Sequence, residues 1–382
     1  MNDLPGASAL ESEARRAFDT ASGLDWRSYD PFDLLLSPFL GGLRQTSPLA
    51  ARVCVQFGKR AGTGTRRLLR VAPHEEPKAL ADFLRAAALL SSLGREWATP
   101  WVGQLVQRLR PADRVVGWGL AFPYVSRFTN AGAGTPNIYV TMAVVEALLD
   151  GGDADSAHAG MRFVVDGLGS VSHDGHRWLR YWADKDARIV NVQATAAGLL
   201  ARVGSHPGDS DMSELADDLI GTVLAAQRDD GSWPYSDDEN GSFIDGFHTG
   251  FTLQGLTEYV RWAPNGAHEE PVADALRRGL AYFDEHLMTG EGLPRGMADG
   301  GASLDTQNVA QCIQTYVVCA RGEGDLDTAL RLWSATAGGD TTKGYTALRW
   351  STGPRVVATA HLLKALEEHH GASSRTAGEA AT

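Results

Sequence analysis

The sequence predicts an all-α fold, an (α/α)6 toroid or barrel of about six helical hairpins, and three observations carry that expectation. First, loops that join glycine to aromatic or turn residues recur along the chain. They lie at Gly117-Trp118-Gly119, Asp174-Gly175-His176-Arg177-Trp178, Asp230-Gly231-Ser232-Trp233-Pro234-Tyr235, Gly290-Glu291-Gly292-Leu293-Pro294 and Lys343-Gly344-Tyr345. From Gly117 through Gly175, Gly231, Gly292 and Gly344 the steps are 58, 56, 61 and 52 residues, which marks a repeated structural unit. Second, a helical pattern precedes and follows each loop. Third, period-2 alternation bounded by hairpin turns is scarce, which disfavours a sheet. Residues 29–94 leave room for one more unit upstream, bringing the count to about six.

The helices after the loops are the clearest elements. Beyond Asp305, the apolar residues Val309, Cys312, Ile313, Tyr316, Val317 and Ala320 fall on one face of a helix. Asp305 is a natural N-cap, because its carboxylate accepts from backbone N–H groups that have no partner in the first turn. Asp245 has the same place before Phe247, Phe251, Gly255 and Tyr259, and Pro136 opens the helical segment 137–149. Residues 212–226 and 271–287 are the partner helices that precede loops. Since every loop enters the second helix of a pair, closure into a ring would gather the loops at one end. The composition agrees: 43 glycines and 10 tryptophans in 382 residues are too much glycine for unbroken long elements and too much aromatic content for disorder. The expected organisation is a flexible tail over residues 1–21, a single toroid domain over 22–369 and a disordered tail over 370–382.

Charge and cysteine content narrow the partners. With 35 Lys+Arg against 47 Asp+Glu the net charge is -12, which speaks against nucleic acid as a partner. Cys54, Cys312 and Cys319 form no CxxC pair and no even disulfide framework, so a reducing compartment is expected. The start, Met1-Asn2-Asp3-Leu4, has no basic region followed by an apolar one, and no apolar stretch approaches the ~18 residues of a membrane span. These features point to a cytoplasmic protein.

Gln227-Arg228-Asp229-Asp230-Gly231-Ser232-Trp233 resembles the QxxxGxW repeat of the terpenoid-cyclase and protein-prenyltransferase superfamily. Further blocks are Asp30-Pro31-Phe32-Asp33 with Ser37-Pro38, Pro77-Lys78-Ala79-Leu80, Trp118-Gly119-Leu120-Ala121-Phe122 with Ser126-Arg127, and Thr135-Pro136-Asn137. Asn191, Trp233-Pro234-Tyr235, Phe247-His248-Thr249-Gly250-Phe251, Asp305 with Ala310-Gln311, and Arg349-Trp350 continue the series. In this order, over residues 26–365, they resemble a bacterial family with prenyltransferase/squalene-cyclase-type repeats, often encoded with polysaccharide or glycosylated-metabolite biosynthesis genes. The resemblance implies an (α/α)6 barrel in which the Gln and Trp of the motif tie helix ends together. It also implies a role in such a pathway.

The candidate site residues come from the loop end. His248 lies three residues after the cap Asp245, in the first turn of its helix, and is the candidate base; Tyr235 and Tyr181 are placed to share proton transfer. Asp305 is the equivalent carboxylate of the next unit and a candidate catalytic residue that orients a hydroxyl, while Asp245 and Gln311 are candidates for binding substrate. Arg127 suits a carboxylate or phosphate grip. Trp118 and Trp233, with Phe122, Tyr124, Trp178, Trp182 and Tyr345, offer flat rings beside polar groups, which is what a sugar needs. Lys78 and Asp30 have no assignable role beyond polar lining, and Arg349 beside Trp350 is expected to be structural. No metal or other cofactor is expected: Asp305 and Cys312 stand seven apart on one helix with His248 elsewhere.

The leading expectation is a carbohydrate-active enzyme for a sugar acid or glycosylated intermediate, working by proton abstraction as an epimerase or lyase. A long polyanion would require Arg66, Arg67, Arg70, Arg108, Arg110 and Arg114 to gather at the mouth; a small substrate avoids this. One alternative is an atypical terpenoid cyclase or prenyl-transfer-like enzyme. Against it, Asp184-Lys185-Asp186-Ala187 lacks the last carboxylate of a DxDD acid, and glycines follow Asp217-Asp218 and Asp237-Asp238 where DDxxD needs an aspartate. The other alternative is a noncatalytic glycan-binding or assembly scaffold.

Overall fold

The computed structural model describes residues 6–110, 117–126, 129–205, 210–238, 241–263, 268–336 and 345–379. The chain repeats one move: an outer helix, a long loop, then an inner helix. The first unit runs from outer α1 (Ala7–Gly23), through a loop holding the short α2 (Leu43–Thr46), α3 (Pro48–Gly58) and α4 (Thr63–Leu68), to inner α5 (Pro77–Ser92). Next come outer α6 (Thr99–Leu109) and inner α7 (Ile138–Asp150), then outer α8 (Ala154–Arg162) and inner α9 (Val190–Gly204). Outer α10 (Ser210–Ala225) leads to inner α11 (Gly246–Trp262), outer α12 (Glu269–Tyr282) to inner α13 (Thr306–Val318), and outer α14 (Glu323–Ala335) to inner α15 (Gly353–Glu379). Each inner helix packs on the next, and α15 packs on α5, closing the (α/α)6 ring that the repeat predicts.

The N-terminal segment corrects the expected tail. Ala7, Leu10, Ala14, Phe18 and Ala21 share one face of α1 and are buried, and α1 packs on α15 as the sixth outer helix. The Phe18 ring meets Phe83 of α5 edge-on at 5.1 Å. Three of the five core positions are alanines, so the segment reads as small and polar although it is amphipathic. At the other end α15 runs to Glu379, so the expected C-terminal tail begins inside a helix.

Strands are confined to the loops. The described residues hold three two-stranded antiparallel pairs: β1 (Arg27–Ser28) with β2 (His74–Glu75), β3 (Tyr124–Val125) with β4 (Asn130–Ala131), and β5 (Ser170–His173) with β6 (His176–Leu179). They brace the loops at the end of the ring where the inner helices begin.

Two tryptophans that were candidates for substrate binding serve the framework, Trp233 in the way its motif implies. The Trp233 indole N–H donates to Val223 O of α10 at 3.0 Å, and the ring lies on Gly279 of α12, where a Cβ would stand 2.3 Å from it. Trp118 repeats the arrangement, donating to Leu109 O of α6 at 3.1 Å and packing on Gly160 of α8. Each clamps two successive outer helices, and the glycine is what lets the ring approach. Gln227 finishes the motif, its amide N–H donating to Gly231 O and Ala275 O at 3.0 Å each.

Candidate active site

The six long loops surround the opening of a cavity of about 690 Å³ that descends inside the ring. All six inner helices start at this end, and three carry side-chain caps. Asn137 accepts from Val140 N at 3.0 Å, Asp245 from His248 N at 2.8 Å, and Asp305 from Gln307 N at 3.1 Å. The cap that satisfies an orphan donor also places a polar group on the cavity wall.

His248 is the best-defined chemical group there. Its Nδ1 faces Asp245, 2.7 Å from Oδ2 and 3.0 Å from Oδ1, while the same carboxylate takes the His248 backbone N–H. With Nδ1 held by a carboxylate, Nε2 is the nitrogen left to accept a proton. The imidazole packs against Tyr235, with ring centroids 4.5 Å apart, and Tyr235 in turn stacks on Phe243 at 4.9 Å. Burial pushes the Tyr235 phenol up to about 12, with Tyr124 and Asp245 adding to the effect, and burial raises Tyr181 well above its usual value. Both therefore remain O–H donors at neutral pH, suited to holding a developing oxyanion rather than shuttling the proton.

His248, Tyr235, Asp245, Asp305, Tyr181 and Gln311 all line the cavity. Trp118 and Trp233 do not, for the reason given above, and Arg127 lies outside the described residues. Asp305 is exposed at the rim, its Oδ1 spent on the cap. Gln311 is buried and its Nε2 has no hydrogen-bond partner; the same holds for Asn191 Oδ1 and Trp182 Nε1, both in residues that line the cavity. Such orphaned groups in a polar cavity are ready for substrate hydroxyls.

Apart from Lys78, expected as polar lining, the deeper groups escaped the loop-based reading. Lys78, Asp82 and Arg85 stand at i, i+4 and i+7 on α5 and face the cavity, as do Tyr139 and Glu146 on α7 and Gln307 and Gln314 on α13. A polar stripe on an otherwise apolar helix was the available signal. Lys78 pairs with Asp82; burial works against its ammonium, but the aspartate outweighs it and the pKa lies above the usual one. Arg85 Nη2 is 2.6 Å from Glu146 Oε1, and burial pushes Glu146 up to about 6 against the pull of Arg85. Arg349 is held by Asp30 through two bonds of 2.7 and 2.8 Å and is enclosed by the rings of Phe32, Phe122 and Trp350.

Cations and carboxylates on the wall balance. Lys59, Lys78, Arg85 and Arg349 face Asp82, Glu146, Asp245 and Asp305. The arginines that a polyanion would require do not line the cavity: Arg66 is buried against Asp33, Arg108 pairs with Asp25 and Glu75, Arg110 pairs with Asp153, Arg67 and Arg70 are exposed on the first loop outside the cavity lining, and Arg114 lies outside the described residues. Among the described residues no group of three or more His, Cys, Asp or Glu is placed to hold a metal ion, and no helix is long and apolar enough to cross a membrane.

No family model matches the chain, the prenyltransferase-repeat family included, and no curated protein matches it. Solved structures do. The chain is similar to a cellobiose 2-epimerase from Bacillus thermoamylovorans B4167, with TM-score 0.59 and 10% identity over 77% of this chain and 90% of that one. It is similar to a polysaccharide lyase with TM-score 0.52 and 11% identity, covering 75% and 90% of the two chains. A glycosyl hydrolase family 88 protein from Bacteroides vulgatus gives TM-score 0.52 and 11% identity over 79% and 96%. At these identities the likeness is one of fold, and it places the chain among the (α/α)6 toroids.

Proposed function

We propose that the protein is a carbohydrate-active enzyme of the proton-abstracting type, acting on a small sugar or glycosylated intermediate as an epimerase. The observation that carries this reading is the Asp245–His248 pair on the cavity wall, a base with one nitrogen fixed and the other open. Nε2 of His248 takes the proton from the carbon beside a sugar carbonyl, and a water that enters through the cavity opening returns a proton to the other face of that carbon, the hydroxide left being neutralised by the imidazolium proton. The protonated phenols of Tyr235 and Tyr181 and the amide of Gln311 hold the enediolate oxygens, which carry more charge in the transition state than in the ground state. Asp305 orients a hydroxyl at the rim. The toroids of similar fold include a sugar epimerase, a polysaccharide lyase and a glycosyl hydrolase, which supports a sugar substrate by analogy of fold.

The charge balance of the wall favours a neutral sugar over a sugar acid, since three of its four cations, Lys78, Arg85 and Arg349, already hold carboxylates. The eight charged groups on the wall also suit a hydroxylated ligand better than an isoprenoid hydrocarbon. The test is incubation with reducing disaccharides in deuterated water, read by NMR. Deuterium at the carbon beside the carbonyl together with the epimeric sugar is the expected result, and His248→Ala should lower the rate by about 10²–10⁴-fold. No exchange with any reducing sugar, or an unsaturated product from uronosides instead, would overturn the epimerase reading.

A further inference from the structure

Between Asp33 and Glu75 the chain carries seven Lys or Arg residues and no acidic one, in a molecule of net charge -12. This run includes α2, α3 and α4, which fill the first loop at the rim of the ring. α3 buries Ala51, Val55 and Gly58 on one face, with Ala51 and Val55 packed in a cluster with Phe32, Phe122 and Val125. Leu49, Val53 and Phe57, spaced four apart, lie on the opposite face and are 65, 61 and 56% exposed. A helix apolar on two faces ordinarily has both covered. Phe39 and Leu68 are also exposed, so five of the nine large apolar side chains exposed among the described residues fall between Phe39 and Leu68.

The cations in this run stand outward and without carboxylates. Arg66 turns in to Asp33, but Arg44, Arg52, Lys59, Arg60, Arg67 and Arg70 have no ion pair among the described residues. Arg70 lies over the exposed Phe39 ring at 5.4 Å, so charge and apolar surface are interleaved there. A symmetric contact between two copies would press six unpaired cations against six more, and an asymmetric one would leave an open chain of copies.

We propose that this insertion is a peripheral docking surface for a bilayer rich in anionic lipid. Leu49, Val53 and Phe57 enter the headgroup region, while Arg52, Arg60 and Arg67 meet the lipid phosphates with their stems along the apolar boundary. Lys59 and Phe32 belong both to this region and to the cavity wall, so docking brings the cavity opening to the lipid surface, where an amphiphilic glycan would be presented. The surface stands on its own residues and does not depend on the reaction performed in the cavity.

Co-sedimentation of the full-length chain with phosphatidylglycerol/phosphatidylcholine vesicles, and with phosphatidylcholine alone, tests it. Binding to the anionic vesicles should exceed that to the neutral ones by about tenfold or more and should weaken as salt rises from about 0.1 to 0.5 M. Val53→Asp with Phe57→Asp should lower it about tenfold, and so should Arg52→Gln, Arg60→Gln and Arg67→Gln together, with the melting curve of the second variant unchanged. Because those arginines are unpaired, the second variant keeps the test valid where the first fails to fold. Equal binding to neutral vesicles, no vesicle binding, or variants that bind like the parent would overturn the proposal. So would light scattering that shows two copies joined through Val53 and Phe57.

Discussion

Asp245 and Asp305 occupy the same place in successive units, and the difference between them lies three residues further on. Both cap an inner helix at the rim of the cavity. At α11 the residue in the first turn is His248, and the cap carboxylate also grips its ring at 2.7 Å. At α13 the corresponding residue is Asn308, whose Nδ2 turns away to Arg295 O at 3.0 Å, and Asp305 remains exposed. These two units thus share a capping carboxylate, and the residue three places on decides whether it works on a base. Trp233 and Tyr235 show the same division inside one loop: the residue that follows the motif clamps helices, and the one two places on faces the cavity.

If framework and site are this separable, substitutions should split them. Trp233→Ala should have the largest effect, a loss of about 3–5 kcal/mol of stability by urea denaturation, from the emptied volume over Gly279. Turnover per folded molecule should change little. Asp245→Asn should lower kcat about 10²-fold by misorienting His248, with a much smaller change in stability. Asp305→Ala should cost about 0.5–2 kcal/mol as a lost cap and should raise KM more than it lowers kcat. Equal losses of kcat from the two aspartate variants would break the comparison.

The smallest expected effect is a slope. Glu76, buried behind Arg349, is pushed up to about 8 by burial, against the opposing pull of Arg349 and the Ala121 N–H. Between the ordinary carboxylate range and pH 8 the unfolded chain has released this proton while the folded chain keeps it. Stability from this group is therefore full at low pH and is lost as pH rises through the folded value. Glu76→Gln should flatten the decline measured between about pH 5 and 8.

The fold was legible because its signals repeat. Glycine–aromatic loops, caps at Asp245 and Asp305, Pro136 ahead of α7 and the 3.6-residue pattern of α13 are local features, each readable without its neighbours. α1 was not legible as core, because alanine at 7, 14 and 21 gives almost no hydrophobic contrast until Phe83 of α5 and the face of α15 are there to cover it. Within the site, the loop end gave His248, Tyr235, Tyr181, Asp245, Asp305 and Gln311. Beyond Lys78 the wall below was hidden because Asp82, Arg85 and Glu146 sit on helices rich in apolar residues, and ring closure alone turns that polar stripe inward. The motif implied the tie that Trp233 makes, but nothing local separated it or Trp118 from a substrate platform, because an aromatic ring has the same composition whether it clamps a helix or faces a sugar.

The ring has a seam, and the chain's two ends make it. Arg355 of α15 binds Glu13 of α1, Arg349 binds Asp30 across 319 residues of sequence, and Arg95 bridges Glu11 and Glu367. During synthesis the five earlier inner helices can stack on one another, but the wall between α13 and α5 stays open until the last segment emerges. The cavity thus closes only once α15 has been made. A nascent chain halted before Arg349 would hold nearly every residue of the site and enclose no substrate.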